Sequence, residues 1–270
     1  MADRETINKS PGDFFIVGIG ASAGGVQALE AFFANVPDNP NAAFVVVQHL
    51  SSNHKSMMTE ILQRQTVMTV QDAADQTLLE PANVYVLPPR KRMVIQDRRL
   101  VLKDKTEGFD YPIDRFFSSL ISGWGQQIIT ILLSGTGKDG TEGLQAVSRA
   151  GGIALVQSPE TAQFTSMPSN AIPSGLVDEV LSPQDVAKTV FELIRFSENF
   201  PESTASDASL IDPDRLQNIL DVLSEREDVD FSHYKVSTLS RRIHHRCALT
   251  RQANLENYLR LLESSQEEQK

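Results

Sequence analysis

Three side chains in this sequence have the types needed for acyl transfer: Ser22, His49 and Asp139. Ser22 sits in "GASAG", residues 20–24, a G-x-S-x-G pattern that sets a serine on a tight turn between a strand and a helix. A serine hydroxyl becomes a nucleophile when a base takes its proton, and the base needs an acceptor that fixes its tautomer. His49, at the end of the apolar run "FVVVQHL", has the chemistry of the base, and Asp139, in "LLSGTGKDG", that of the acceptor. Each residue also has an ordinary reading. In that reading the glycines serve strand–helix packing alone, His49 is a loop histidine with one hydrogen bond, and Asp139 caps a helix beginning near Thr141. What joins the three is position: each follows an apolar run that reads as a parallel strand, and open α/β sheets place their sites at the carboxyl ends of such strands. The triad is therefore the favoured reading.

The same stretch, "FFIVGIGASAGG", invites comparison with phosphate-binding loops, since Gly18, Gly20, Gly24 and Gly25 fall between a strand and a helix. The spacing from Gly20 to Gly24 is longer than in G-x-G-x-x-G, and the next strand ends in Gln48 and His49 where a ribose-binding acid is expected. A dinucleotide-binding reductase is accordingly a minor reading, and no G-x-x-x-x-G-K-[ST] loop supports an ATP site.

These residues need a scaffold that brings strand ends together. Residues 14 to 196 alternate β-rich runs ("FFIVGIG", "FVVVQHL", "VYVLP", "IITILLSG", "IALVQS", "LVDEVL") with amphipathic stretches ("VQALEAFFAN", "SMMTEILQRQ", "IDRFFSSLISGW", "DVAKTVFELIRF"). That alternation predicts an α/β fold, a doubly wound and mostly parallel sheet with helices on both faces. The pair "MVIQDRRLVLKD" predicts a small antiparallel hairpin turning around Asp97, Arg98 and Arg99. The polar stretch 197–209 reads as a linker between a catalytic domain at 13–196, after a tail at 1–12, and a small all-helical unit at 210–270. The helical candidates there are "LQNILDVLSERE", "TLSRRIHHRCAL" and "LENYLRLLESSQ".

The chain has 270 residues, 40% of them hydrophobic and 22% charged, the profile of a globular protein. It has no apolar run of roughly 20 residues and no secretory signal pattern, so the expectation is a cytoplasmic protein without membrane insertion. The formal charge of −10 speaks against the whole chain coating nucleic acid, and the single Cys247 excludes an internal disulfide. The histidines show no metal-ligand spacing; His54 and His233 read as surface or structural residues, and neither metal nor cofactor is called for.

From about residue 14 to 195 the sequence resembles the chemotaxis protein-glutamate methylesterases, the CheB catalytic domain. "IGASAGG" is similar to that family's nucleophile loop, "VVVQHL" aligns His49 with its general base, and "LLSGTGKDG" aligns Asp139 with the residue that orients the base. "VYVLPPRKRM", "YPIDRFFSSL" and "AQFTSMPSNAI" resemble segments around the family's cleft, which makes Tyr111, Pro112 and Met167 candidates for its lining. Ala23 stands where the family often has Thr, and Thr136 where many members have Met. The segment "ILDVLSEREDVDFSHYKVSTLSRRIHHR" resembles the N-terminal helical subdomain of CheR-type methyltransferases. No glycine-rich strand–helix loop follows residue 210, so no S-adenosylmethionine site is expected, and the chain reads as part of an esterase–methyltransferase fusion. About a dozen residues precede the first strand, so no receiver domain is expected there.

The resemblance implies hydrolysis of glutamyl methyl esters on the cytoplasmic helices of methylated receptors, releasing methanol, with glutaminyl deamidation as an additional candidate activity. Backbone N–H groups at Ala23 or Gly24, and in the loop of Thr136 and Gly137, are candidates to face the oxyanion. The alternative is a nonenzymatic signalling module that binds a receptor or partner through the same cleft. In "TLSRRIHHRCALTR", residues 238–251, Arg241, Arg242, Arg246 and Arg251 with His244 and His245 form a basic segment. Arg242 and Arg246 are spaced to share a helix face. Arg241, Arg242 and Arg246 are thus candidates for binding acidic receptor helices, against the plainer reading of a solvated helix face.

Overall fold

The computed structural model describes residues 14–48, 57–105, 110–124, 127–199, 211–227, 236–250, 252, 254–265 and 268. Its centre is a sheet of seven parallel strands: β1 (Phe15–Ala21), β2 (Ala42–Gln48), β3 (Thr69–Asp72), β5 (Asn83–Val86), β8 (Ile128–Leu132), β9 (Ile153–Gln157) and β10 (Glu179–Leu181). Their order is β10-β9-β8-β1-β2-β5-β3. The central strands β1, β2, β8 and β9 are buried at every position, which is why they read as unbroken apolar runs. The expected parallel sheet is present. The strand β3, "TVQD", was not anticipated: only Val70 of its four residues is buried, so it carries no apolar run.

Helices cover both faces. On one lie α1 (Gly25–Phe33), α2 (Met58–Gln63) and α6 (Pro183–Asn199); on the other lie α3 (Pro112–Trp124), α4 (Thr141–Ala150) and α5 (Ser166–Ala171). The apolar residues of β1 divide accordingly: Val17 and Ile19 join the core under α1, and Ile16 the core under α3. The predicted hairpin forms from β6 (Lys91–Gln96) and β7 (Arg99–Asp104), with Asp97 and Arg98 both at positive φ (49° and 60°) as a two-residue type I′ turn requires. A short strand, β4 (Thr77–Leu78), adds to β7 to complete a three-stranded antiparallel sheet.

Gly20 explains why β1 has glycines where its neighbour β2 has valines. A Cβ there would stand 2.4 Å from Cγ2 of Ile113, so α3 lies directly on the bare backbone of the strand. This packing is the plain reading of the glycines, and at Gly20 it is correct.

The C-terminal part is helical: α7 (Pro213–Glu227), α8 (Val236–Leu249) and α9 (Leu255–Ser264). Ile211, Leu216, Ile219, Leu239, Ile243, Cys247, Tyr258 and Leu262 form its own small core. It is nonetheless joined to the α/β part. Phe196 of α6 packs against the small core, while Ala248 of α8 belongs to the large one. The expected linker begins inside α6, which runs to Asn199, because Phe196 still has apolar surface to cover. The rest of that linker, with His54 and His233, lies outside the described residues.

Candidate active site

Ser22 is the first residue after β1. The adjoining strands are β2 on one side, with Ala21 paired to Gln48, and β8 on the other, with Gly20 paired to Leu132. All three run parallel, so the segments that follow them leave the same edge of the sheet. Ser22 and the loop carrying Asp139 therefore emerge from adjacent strands. His49 follows the last residue of β2 in sequence but lies outside the described residues.

The turn at Ser22 is closed by the Gly25 N–H, which donates to the Ser22 carbonyl at 2.9 Å. Gly24, at φ 70° and ψ 1°, has the conformation of the third residue of a type II turn, and α1 begins directly after it. A side chain at Gly24 would be strained by that φ and would meet Ser134 Oγ at 2.7 Å and Gln163 at 2.8 Å. The Ser22 N–H donates to the Ser134 carbonyl at 3.0 Å, and the Ser134 hydroxyl donates to the Ala23 carbonyl at 2.9 Å. Gln48 Nε2 reaches the Ser22 carbonyl at 3.5 Å. The N–H groups of Ala23 and Gly24 have no acceptor among the described residues.

Asp139 is buried, and both its oxygens accept backbone donors: Oδ2 from the Ile113 N–H at 3.2 Å and Oδ1 from the Asp114 N–H at 3.0 Å. It thus satisfies the orphan amides at the start of α3, not those of α4. The helix near Thr141 starts instead from Gly140, in the left-handed region and without a side-chain cap. Burial pushes the Asp139 carboxyl up to about 6, against the lowering effect of the Asp114, Ile113 and Gly140 amides, and the nearby Asp114 charge adds to the rise. Burial also raises Asp114, although the Gly143 N–H that it accepts holds it down in part.

The other candidates divide. Thr136 and Gly137 are exposed on the loop after β8, but the Gly137 N–H already donates to Ser166 Oγ at 3.3 Å, which leaves it poorly placed to bind an oxyanion. Met167 is fully buried, and a Cβ on Gly135 would meet both its sulfur, at 2.0 Å, and Ser22 Cβ, at 2.9 Å, so Met167 backs the serine loop. Pro112 is buried as the first residue of α3, where a proline costs no helical hydrogen bond; this burial speaks against contact with a ligand. Tyr111 is exposed, with the Lys138 ammonium 5.7 Å from its ring centre.

Of the arginines in the basic helix α8, Arg246 is paired within the chain. Arg246 forms a two-pronged pair with Glu268, Nε to Oε1 at 2.7 Å and Nη2 to Oε2 at 2.9 Å, and its Nη1 donates to Glu179 of the edge strand β10 at 3.0 Å. Arg242 is exposed and close enough to lower Asp178, which burial raises overall. His244 is buried with Nδ1 2.9 Å from the Ser240 carbonyl, so it is no part of an exposed basic face. The side chains of Arg241 and His245, and the whole of Arg251, lie outside the described residues. Burial pushes the Cys247 thiol up to about 12, which makes it a packing residue rather than a nucleophile.

Ser134 and Asp114 are functional candidates absent from the sequence reading. Ser134 is hidden at the end of the apolar run "IITILLSG", and the partner of Asp114 lies 29 residues further along the chain. Among the described residues, no group of three or more His, Cys, Asp or Glu could hold a metal, and no helix is long and apolar enough to cross a membrane.

Comparison with known proteins places this geometry. Residues 17–190 match the family model described as CheB methylesterase, and residues 214–270 match that of the CheR methyltransferase all-alpha domain. The chain is 31% identical over 186 residues to a protein-glutamate methylesterase/protein-glutamine glutaminase of Myxococcus xanthus, covering 67% of this chain and 54% of the relative. It is 32% identical over 226 residues to an uncharacterized 104.1 kDa protein of Rhodobacter capsulatus, covering 76% of this chain and 24% of the relative. The crystal structure of the Thermotoga maritima CheB methylesterase catalytic domain superposes with a TM-score of 0.62 at 29% identity, over 67% of this chain and 98% of that one. The chain thus spans about half or less of the length of these two curated relatives. With its family model matched across residues 17–190, the seven-stranded fold that positions Ser22 and Asp139 is that of a known group of hydrolases: the chain belongs to the CheB methylesterase family.

Proposed function

We propose that the α/β domain hydrolyses glutamyl methyl esters on receptor-like proteins, with Ser22, His49 and Asp139 as its triad. The observation that carries this reading is the strand order β8-β1-β2, which sends Ser22 and the Asp139 loop off one edge of the sheet and makes His49 the next residue after β2. In the reaction, Ser22 Oγ attacks the ester carbonyl as His49 takes its proton. The bond to the methoxy oxygen breaks, and His49 returns the proton so that methanol leaves. Water, activated by the same imidazole, then cleaves the acyl-enzyme to give a glutamate side chain. Asp139, held by two amides, orients the imidazole and stabilises its cation.

The Ala23 and Gly24 N–H groups, free of other acceptors among the described residues, stabilise the tetrahedral oxyanion; one such donor is typically worth ~10²–10³ in rate. An amide in place of the ester would follow the same path with ammonia leaving, which is the deamidation named for the relatives. The reading is tested by methanol release from a chemoreceptor cytoplasmic fragment carrying radiolabelled methyl esters. Release by the wild type and none above background by Ser22→Ala is the expected result; equal release by both excludes Ser22.

A further inference from the structure

Ser134 is fully buried two residues beyond β8 and touches the nucleophile turn at two points. Its carbonyl accepts from the Ser22 N–H at 3.0 Å, and its hydroxyl donates to the Ala23 carbonyl at 2.9 Å. Its own position is fixed by donation of its N–H to Gln157 Oε1 at 2.8 Å and by the Phe164 N–H, which donates to its hydroxyl at 3.0 Å. With an acceptor interaction already filled by Phe164, the hydroxyl directs its single proton to the nearer carbonyl, that of Ala23.

The carbonyl it holds belongs to the one peptide unit of the turn that is free to rotate. Type I and type II turns differ mainly by a flip of the central peptide, here Ala23–Gly24, and glycine tolerates both conformations at the third position. In a trans peptide the C=O and the following N–H point in opposite directions, so anchoring the Ala23 oxygen on Ser134 directs the Gly24 N–H away from Ser134. A flip would reverse that donor.

We infer that Ser134 is a positioning residue for ester hydrolysis: its hydroxyl locks the Ala23–Gly24 peptide so that the Gly24 N–H stays available to the oxyanion. The inference rests on the reading of Ser22 as the nucleophile. Since the oxyanion forms only as the reaction proceeds, loss of the lock lowers kcat and leaves substrate affinity nearly unchanged.

The experiment measures kcat and KM for methanol release from the methyl-esterified receptor fragment, with Ser134→Ala, Ser134→Thr and Ser134→Val beside the wild type. Thr and Val have the same shape and differ by the hydroxyl, so their comparison stands even if Ser134→Ala fails to fold. The expected result is a fall in kcat of at least ~10-fold for Ala and Val with KM within about twofold, and recovery with Thr. Equal kcat for Thr and Val, or unchanged kcat for Ala, overturns the role of the hydroxyl. Ser22→Ala separates the two claims: if it retains wild-type release, or if the wild type releases no methanol, the nucleophile reading itself has failed.

Discussion

Asp139 and Asp114 cap each other's helices. The Asp139 carboxylate, just before α4, accepts the Ile113 and Asp114 amides at the start of α3, and the Asp114 carboxylate accepts the Gly143 amide in the first turn of α4 at 2.7 Å. The exchange ties the start of α3 to the start of α4 and holds both oxygens of Asp139. It also satisfies donors at two helix starts, of which that of α4 has no side-chain cap at its own N-cap residue, Gly140.

Asp114→Ala should therefore reduce stability without disabling the site. Its carboxylate caps α4, a contribution typically of about 1 kcal/mol, while the Asp114 amide that holds Asp139 remains. Chemical denaturation should show the loss, with kcat within a few-fold of wild type. A fall in kcat as deep as that of Asp139→Asn would place Asp114 in the chemistry.

Asp139→Asn should lower kcat by as much as ~10⁴ through the wrong imidazole tautomer. The variant also sets an NH₂ group against one of the two amide donors, since both carboxylate oxygens are acceptors. Steady-state kinetics on folded protein checks the first effect; full activity would reduce Asp139 to a structural anchor of α3.

The pH dependence of stability carries a definite sign. Asp139 stands at about 6 in the folded protein against an ordinary value of 3.8, so the folded state holds its proton more tightly. Its stabilising contribution is complete below pH 3.8 and is lost as pH rises through about 6, to a limit of about 3 kcal/mol. Denaturant midpoints of wild type and Asp139→Asn between pH 4 and 7 should shift relative to each other in the variant's favour as pH rises. A constant difference would show that Asp139 titrates normally.

Gly20→Ala should be severely destabilising for one methyl group. The new Cβ would be 2.4 Å from Ile113 Cγ2, and overpacking of this kind typically costs about 1–3 kcal/mol. Because the Ile113 amide also holds Asp139, kcat should fall as well. Ile113→Ala in the Gly20→Ala background should restore part of the stability in a double-mutant cycle; strict additivity would mean that the two residues do not meet.

The sequence announced the parallel sheet because β1, β2, β8 and β9 are buried on both faces and thus spelled in continuous apolar letters. It offered Ser22 and Asp139 as candidates because both follow such strands. It concealed β3, which has one buried residue, and the small strand β4. It also concealed Ser134 and the exchange between Asp139 and Asp114, since hydrogen bonds between segments more than 20 residues apart leave no local pattern. The partners of Arg246 were hidden for a related reason. A helical spacing of arginines states which side chains share a face, but the carboxylates opposite, Glu179 and Glu268, come from a strand 67 positions earlier and a segment 22 positions later.

Replacing Arg246 should loosen the helical unit. Arg246→Ala leaves Glu268, mostly buried beside Tyr258, without its charge partner and frees Glu179 on the sheet edge. Amide hydrogen exchange should accelerate in α8 and α9 while β1 and α1 stay protected. Unchanged exchange in α8 and α9 would show that apolar packing alone holds these helices.

The most direct test of the account is covalent trapping of the nucleophile. A fluorophosphonate that mimics the tetrahedral ester should form one adduct, which peptide mass spectrometry should locate on Ser22, and labelling should be abolished in His49→Ala and slowed strongly in Asp139→Asn. An adduct on another residue, or labelling of Ser22 at the wild-type rate in His49→Ala, would contradict the triad.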